Sequence, residues 1–270
     1  MATLGIWSEI RDFLGEEMFR ETYAEISGDV LTKFFGLKSN KPAQTLPNLK
    51  ADHREPETKA ENIKSYRPPS GKLPGKPLEV SDDWKKSSNL EELNMKICFC
   101  EKCRLAAGRT KFVFGEGAPN AELMFIGEGP GRDEDMQGRP FVGRAGQLLT
   151  KMINAMQFQR EETYIANVVK CRPPENRVPE KDEAESCIPY LMRQIEVVKP
   201  KAIVLLGATP ARFLLGVNGI NEARGKWFEI KGIKTMPTYH PAYLLRNPSA
   251  KKTVWADLQL VMAELGKNLP

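Results

Sequence analysis

From about residue 121 to residue 265, short and almost wholly apolar runs alternate with stretches of helical periodicity. That alternation narrows the fold more than any other feature of the chain. Ala121–Gly127 (A-E-L-M-F-I-G) reads as a strand, and Gly143–Phe158 carries Leu148, Leu149, Met152 and Met156 at helical spacing. Thr163–Val169 is a second strand and Pro179–Val198 a long helix with acids early. Lys201–Gly207 (K-A-I-V-L-L-G) is a third strand, followed by a helix over Ala208–Leu215. Ile233–Thr238 is a fourth strand, and Ala250–Leu265 closes as a helix. Strands that are apolar on both faces and separated by helices predict an α/β fold with a parallel sheet covered on both sides. In such sheets the ligand cleft lies beyond the carboxyl ends of the strands.

Ahead of this region the chain changes character twice. Residues 1–36 predict an amphipathic helical extension, with Trp7, Ile10, Phe13 and Leu14, then Phe19, Tyr23, Ile26, Val30 and Leu31, along one stripe. Residues 37–81 carry seven prolines and scattered lysines, which predicts a flexible linker, so that a compact domain spans residues 82–270. No run approaches the ~18 apolar residues of a membrane helix. Residues 1–36 also lack the apolar core of a signal peptide. A reducing, cytoplasmic setting follows, with no membrane partner. The net charge of +5 is mild, but its placement is informative. Arg132, Arg139, Arg144, Lys170, Arg172, Arg177, Arg224, Lys226 and Arg246 fall in or beside the strand-end segments, and a basic rim of this kind suits a polyanion such as nucleic acid.

Five cysteines carry the next constraint. Cys100 and Cys103 form C-x2-C, Cys171 ends an apolar run, and Cys187 lies in a helical stretch. Four soft ligands brought from three segments suit either an iron–sulfur cluster or a structural zinc. Cys98 extends the loop to C-F-C-E-K-C and is either a spare thiol or a substitute for Cys100.

Three strand-end segments carry chemistry. Gly127-Glu128-Gly129-Pro130-Gly131 follows the first strand, and its glycines let backbone approach a ligand closely. Its spacing is not that of a dinucleotide fingerprint. Glu128 is placed to position or activate a water. Phe141, in the rigid G-R-P-F-V-G loop, suits stacking on a planar base. Asn167, near the end of the second strand, offers a donor and an acceptor to one edge of a base. His240 opens H-P-A-Y-L-L-R after the fourth strand, where Leu244 and Leu245 resemble a wedge into the base stack and Arg246 a phosphate contact.

From about Ile97 to Leu265 these motifs together closely resemble the family 4 uracil-DNA glycosylases, the iron–sulfur branch of that superfamily. The carriers are C-x2-C, G-E-G-P-G with E-D-M-Q-G-R-P-F-V-G-R-A-G-Q-L-L, N-V-V-K-C-R-P-P-E-N-R-x-P, K-A-I-V-L-L-G and T-Y-H-P-A-Y-L-L-R. The resemblance implies a three-layer α/β/α sandwich, and a [4Fe–4S] cluster on Cys100, Cys103, Cys171 and Cys187. It implies that Phe141 stacks on a flipped uracil, that Asn167 reads its polar edge, and that His240 stabilises the departing base. Gly127 and Gly129 then border the substrate, with Gly129 where this family usually has alanine and related families an acid or amide. The water-activating role is therefore assigned to Glu128. No inserted basic loop follows Cys171, unlike related proteins that trap uracil-DNA covalently.

The expected partner is uracil-containing DNA, single- or double-stranded, and the expected enzyme is a monomer acting at the nucleoid. Two alternatives are a module that binds uracil without cleaving it and an accessory protein of a replication or repair assembly. Residues 28–35 (G-D-V-L-T-K-F-F) space Leu31, Phe34 and Phe35 as sliding-clamp-binding peptides do, though Gly28 stands where glutamine is usual. On this reading, deletion of residues 1–81 leaves excision on short oligonucleotides intact.

Overall fold

The apolar runs pair as the parallel centre of a six-stranded mixed sheet. Its strands are β1 (Glu116–Gly117), β2 (Leu123–Gly127), β3 (Tyr164–Asn167), β4 (Ala202–Leu206), β5 (Phe228–Ile230) and β6 (Ile233–Thr238), in the order β1-β3-β2-β4-β6-β5. The four central strands are parallel, as the sequence predicts. The two edge strands, β1 on β3 and β5 on β6, are antiparallel and add to that parallel centre. Both are short, and neither has the long apolar run that reveals a doubly covered strand. The structure, a computed structural model, describes residues 2–23 and 82–269.

The helices are α1 (Ala2–Leu14), α2 (Glu16–Thr22), α3 (Leu90–Ile97), α4 (Arg132–Gln137), α5 (Arg144–Ala155), α6 (Lys181–Val198), α7 (Ala208–Leu215), α8 (Pro241–Arg246) and α9 (Ala250–Glu264), with single turns between some of them. Strand side chains alternate between faces. Met124, Ile126, Ile203 and Leu205 therefore share one cluster with Leu93 and Ile97 of α3 and Tyr190, Leu191 and Ile195 of α6. Leu148, Leu149, Met152 and Ile153 of α5, and Val254, Trp255 and Leu258 of α9, are buried as well. No helix among the described residues is long and apolar enough to cross a membrane.

The described residues all fall in one compact unit, and this includes the first 23. α1 packs on α5 and α9, and it buries Ile10, Phe13 and Leu14 completely or nearly so. Lys251 Nζ donates to Phe13 O at 2.8 Å, and Trp255 Nε1 donates to the Tyr23 hydroxyl at 2.6 Å. The start of the sequence-defined extension is thus part of the core. Its stripe faces another helix of the same chain, which periodicity cannot distinguish from an unpartnered stripe. The linker and the segment 28–35 lie outside the described residues.

The chain runs from β2 to β3 on one side, then crosses back over β2 to β4 and on to β6. Such a reversal opens a crevice at the carboxyl ends of the strands it separates. Gly127, Asn167, Gly207 and Thr238 lie at or just beyond those ends.

Candidate active site

The crevice is assembled around Gly127. A Cβ there would stand 2.5 Å from Asn167 Oδ1 and 2.5 Å from Cζ of Phe141, so both side chains converge over bare backbone. Asn167 is 2% exposed, and its Oδ1 is a buried acceptor with no hydrogen-bond partner. Such an atom costs free energy unless a ligand supplies a donor.

The Phe141 backbone is in the left-handed region, at φ 52°, which is strained for a residue with a side chain. Three contacts hold it there. Glu134 Oε1 accepts from the Val142 and Gly143 amides at 2.9 and 3.0 Å, while its Oε2 accepts from Gly131 N at 3.1 Å. Arg160 Nη2 donates to Pro140 O at 2.7 Å and to Glu116 at 2.6 Å, and Arg139 donates to Glu116 from the other side. Gly146 leaves the space that the Phe141 carbonyl occupies, since a Cβ there would fall 1.9 Å from that oxygen.

His240 caps α8, and its Nδ1 accepts from Ala242 N at 3.1 Å. An accepting Nδ1 leaves the proton of neutral imidazole on Nε2, which is then a donor. Burial, reinforced by Arg246 and partly opposed by Glu134, pushes the His240 pKa down to about 4, so the ring is neutral at ordinary pH. Its ring lies 5.6 Å from that of Phe141, tilted by 33°. Thr238, two residues earlier, donates to Asp257 at 2.6 Å, and Asp257 also pairs with Arg224. Burial raises the Asp257 pKa, against the pull of those two partners.

Glu128 accepts a hydrogen bond from the Thr209 hydroxyl at the start of α7, which orients its carboxylate. Gly129 packs against Val169, where a Cβ would come within 2.7 Å of the valine methyl.

Two sequence expectations are corrected at the rim. The segment 241–246 is a helix, and Leu244, read as part of the wedge, is fully buried on its inner face. Tyr243 and Leu245 are the exposed apolar residues there, so a wedge built from this segment excludes Leu244. The basic rim is also thinner than the sequence suggests. Lys170 is completely buried, and Arg139, Arg177 and Arg224 are held by Glu116, Glu183 and Asp257. Among the described residues, Arg132, Arg144, Lys226 and Arg246 are the rim cations that are exposed and in no ion pair.

The cysteines gather beside this crevice, on the side of α3 and α6. None is in a disulfide. Donors aim at their sulfurs: Arg109 Nη1 at Cys171 (3.3 Å), Tyr190 Oη at Cys100 (3.3 Å) and Lys102 N at Cys100 (3.4 Å). Donors of this kind suit thiolates bound to metal. As free thiols, Cys103, Cys171 and Cys187 have pKa values raised chiefly by burial, with Cys187 pushed up to about 12. Metal binding is what would keep them ionised. Among the described residues, no three Cys, His, Asp or Glu side chains converge as the ligands of a single metal ion must. Glu183, buried at the start of α6, bonds Arg104 beyond Cys103 and Arg177 beyond Cys171, tying the cysteine segments together. These arginines, Arg177 first, hold its pKa down to about 2 against burial.

The sequence reading missed Glu116, Arg160, Thr209 and Asp257, ordinary polar residues far in sequence from what they support and marked by no local spacing. Glu134 stands nearer, as the third residue of α4, where its side chain reaches back to Gly131 N.

Comparison with known proteins follows the same outline. Residues 114–259 match the uracil DNA glycosylase superfamily. The type-4 uracil-DNA glycosylase of Sulfurisphaera tokodaii is 46% identical over 183 residues, covering 64% of this chain and 83% of that protein. The type-4 enzyme of Archaeoglobus fulgidus is 40% identical over 191 residues, covering 67% and 96%. That of Thermotoga maritima is 45% identical over 184 residues, covering 66% and 96%.

Proposed function

The chain belongs to the uracil DNA glycosylase superfamily and, within it, to the type-4 uracil-DNA glycosylases, and on that premise we propose how its residues divide the work. It is a DNA repair enzyme that acts on uracil-containing DNA. The bond broken joins uracil N1 to deoxyribose C1′, and charge separates toward a cationic sugar and an anionic base. A base in a duplex is out of reach, so uracil must leave the stack, at a cost of a few kcal/mol that is least for single-stranded or mispaired uracil.

Phe141 receives the extruded ring by stacking, worth about 1–3 kcal/mol per base. Asn167 Oδ1 accepts from uracil N3–H. The single observation that carries this reading is that Oδ1 is buried, faces the crevice and has no partner. Cytosine presents an acceptor at N3 and would leave Oδ1 unpaired, the kind of mismatch that gives strong rejection. His240 Nε2–H donates to uracil O2 as negative charge develops, an effect of order 10²–10³ in rate for one well-placed donor. Glu128, oriented by Thr209, positions the attacking water. Leu245 enters the gap left in the stack, and Arg246 and Arg144 hold phosphate.

Cys100, Cys103, Cys171 and Cys187 hold a [4Fe–4S] cluster, which the free thiols, the donors aimed at them and the similarity to type-4 enzymes support. When bound, it supplies a cross-link between the 98–103 loop, the segment after β3 and α6.

The test is a single-stranded oligonucleotide with one deoxyuridine. Free uracil and an alkali-labile abasic site are the expected products. Tight binding without release of uracil would replace a glycosylase with a binding module.

A further inference from the structure

The crevice has a second aromatic surface, at the end of β6. Tyr239 and Tyr243 stand on either side of His240 in sequence, and their rings meet at 4.9 Å, tilted by 34°. The pairing follows from the local fold. β6 ends at Thr238, Pro241 starts α8, and Tyr243 closes its first turn, its amide donating to His240 O at 2.9 Å. Tyr239 is the fixed member. Its hydroxyl donates to Asn221 Oδ1 at 2.8 Å, and the Arg224 guanidinium lies 5.7 Å from its ring centre, within cation–π range. Tyr243 is the open member, 38% exposed, whereas Leu244 beside it is fully buried. A ring backed by a second, fixed ring has little freedom left to lose when a planar group stacks on it. Two exposed cations flank the pair. Gly225 N donates to Pro237 O at 3.3 Å, which brings Lys226 to the end of β6, and Arg246 follows Tyr243 by three residues on α8. Exposed aromatic rings interleaved with cations suit a nucleic-acid strand, which supplies a base and a phosphate at every step.

We propose that Tyr243, backed by Tyr239, is a second stacking site, which takes the base next to the extruded uracil in the same strand. Lys226 and Arg246 hold the phosphates of that strand. Uracil on Phe141 lies against His240, whose ring is 5.6 Å from that of Phe141, and Tyr243 is one helical turn from His240. The neighbouring nucleotide, tied to uracil by one phosphate, comes within reach of that turn. Extrusion takes a stacking partner from this base, and Tyr243 replaces it. In a duplex the neighbouring base is still paired, so the site favours uracil in single strands. Leu245, on the other side of the buried Leu244, keeps its separate place in the gap that uracil leaves. The proposal rests on the reading that the chain extrudes and excises uracil, and it adds a contact to a base that is not excised.

The experiment compares full-length wild type, Tyr243→Ala and Tyr243→Phe on two single-stranded oligonucleotides and on a duplex of the first. The first carries ordinary bases beside deoxyuridine, and the second carries abasic tetrahydrofuran residues on both sides of it. KM and kcat are read for uracil release, and Kd for the same strands with a non-hydrolysable 2′-fluoro-deoxyuridine. On the ordinary strand Tyr243→Ala should raise KM and Kd about 10-fold, in the range of one stacked base, and Tyr243→Phe should restore wild-type values. On the abasic-flanked strand wild type should itself be about 10-fold weaker, and Tyr243→Ala should add nothing further, because the interaction has already been removed from the other side. A loss of the same size on both strands overturns the proposal, since the ring would then act without the base. A loss confined to the duplex also overturns it, by assigning the ring to the opposite strand. Equal wild-type KM and Kd on the two single strands overturn the site and leave the glycosylase reading intact. Wild type that shows the expected Kd pattern but releases no uracil overturns the glycosylase reading and leaves the stacking site standing.

Discussion

The uracil-reading end of the sheet and the cysteine lobe beside it solve the problem of polar groups in a core in opposite ways. At the sheet end the working groups are neutral: a tautomer-fixed imidazole, an amide and an aromatic ring. Their cost is conformational, in the positive φ of Phe141 and the glycines that backbone or ring contacts require at positions 127 and 146. In the cysteine lobe the cost is chiefly electrostatic, although Glu175 and Asn176, between Cys171 and α6, also take positive φ. Burial raises the pKa of its thiols, and the buried Lys170 beside Cys171 is in no ion pair with a described carboxylate. The first region is organised before anything binds, whereas the second, on the cluster reading proposed above, is complete only with metal. The short segment from Asn167 to Cys171 belongs to both.

The sharpest way to break this comparison is to remove a ligand. Cys171→Ala should abolish iron binding and leave little folded protein, because the binding free energy of a bound cofactor is part of the folding free energy. Iron analysis and thermal unfolding read this directly. A colourless variant as stable as wild type would make the lobe as self-sufficient as the sheet end.

Next in size is deletion of residues 1–23. The sequence alone suggests that the whole extension is dispensable, but α1 and α2 bury Ile10, Phe13, Leu14 and Phe19. Each large side chain of this kind is worth about 1.5–3 kcal/mol. The deletion should therefore lower the melting temperature markedly, and excision should fail on warming before it fails on ice. Unchanged melting would return these helices to the status of an appendage.

His240→Ala tests the neutral end. Uracil release should slow by about 10² or more, with DNA binding nearly unchanged. Because the folded pKa is about 4, the wild-type rate should show no loss from His240 between pH 8 and 5, and should fall only as pH drops through about 4. Stability follows the same sign. The folded pKa lies below the ordinary 6.5, so the unfolded chain binds the proton first. Stability is then fully present above 6.5 and lost as pH falls toward 4, by about 3 kcal/mol in all. The variant should lack that decline. A rate that fell near pH 6.5 in wild type would mean that the ring is exposed and not the fixed donor described.

The smallest effects belong to the uracil contacts. Phe141→Ala should cost about 1–3 kcal/mol in base capture. Asn167→Ala should reduce discrimination against cytosine more than it reduces uracil release. If the two variants raised KM equally and left selectivity untouched, the orphan Oδ1 would not be the reader of uracil N3–H.

Much of this was legible without coordinates. The central strands β2 and β4 are unbroken apolar runs, because helices cover both faces, and such runs announce themselves at any position. Gly127, Phe141, Asn167 and His240 sit in local motifs whose glycines and prolines constrain the backbone over a few residues. The antiparallel edges were not legible, since β1 is two residues long and its pairing is decided by β3. Nor was the split of α8 into a buried Leu244 and an exposed Leu245, because two adjacent leucines give no phase until the helix is docked.

The amino-acid sequence by itself determined the layered α/β core, the four cysteines and the strand-end groups, because each depends on composition and spacing within one segment. Tertiary structure alone decided which charges are free. Lys170, Arg139, Arg177 and Arg224 read alike along the chain as a basic rim, yet one is sealed in the core and three are held by Glu116, Glu183 and Asp257. The character of a charge depends on the dielectric around it and on partners brought from distant segments, here 6 to 33 residues away. Neither is written in its neighbours along the chain.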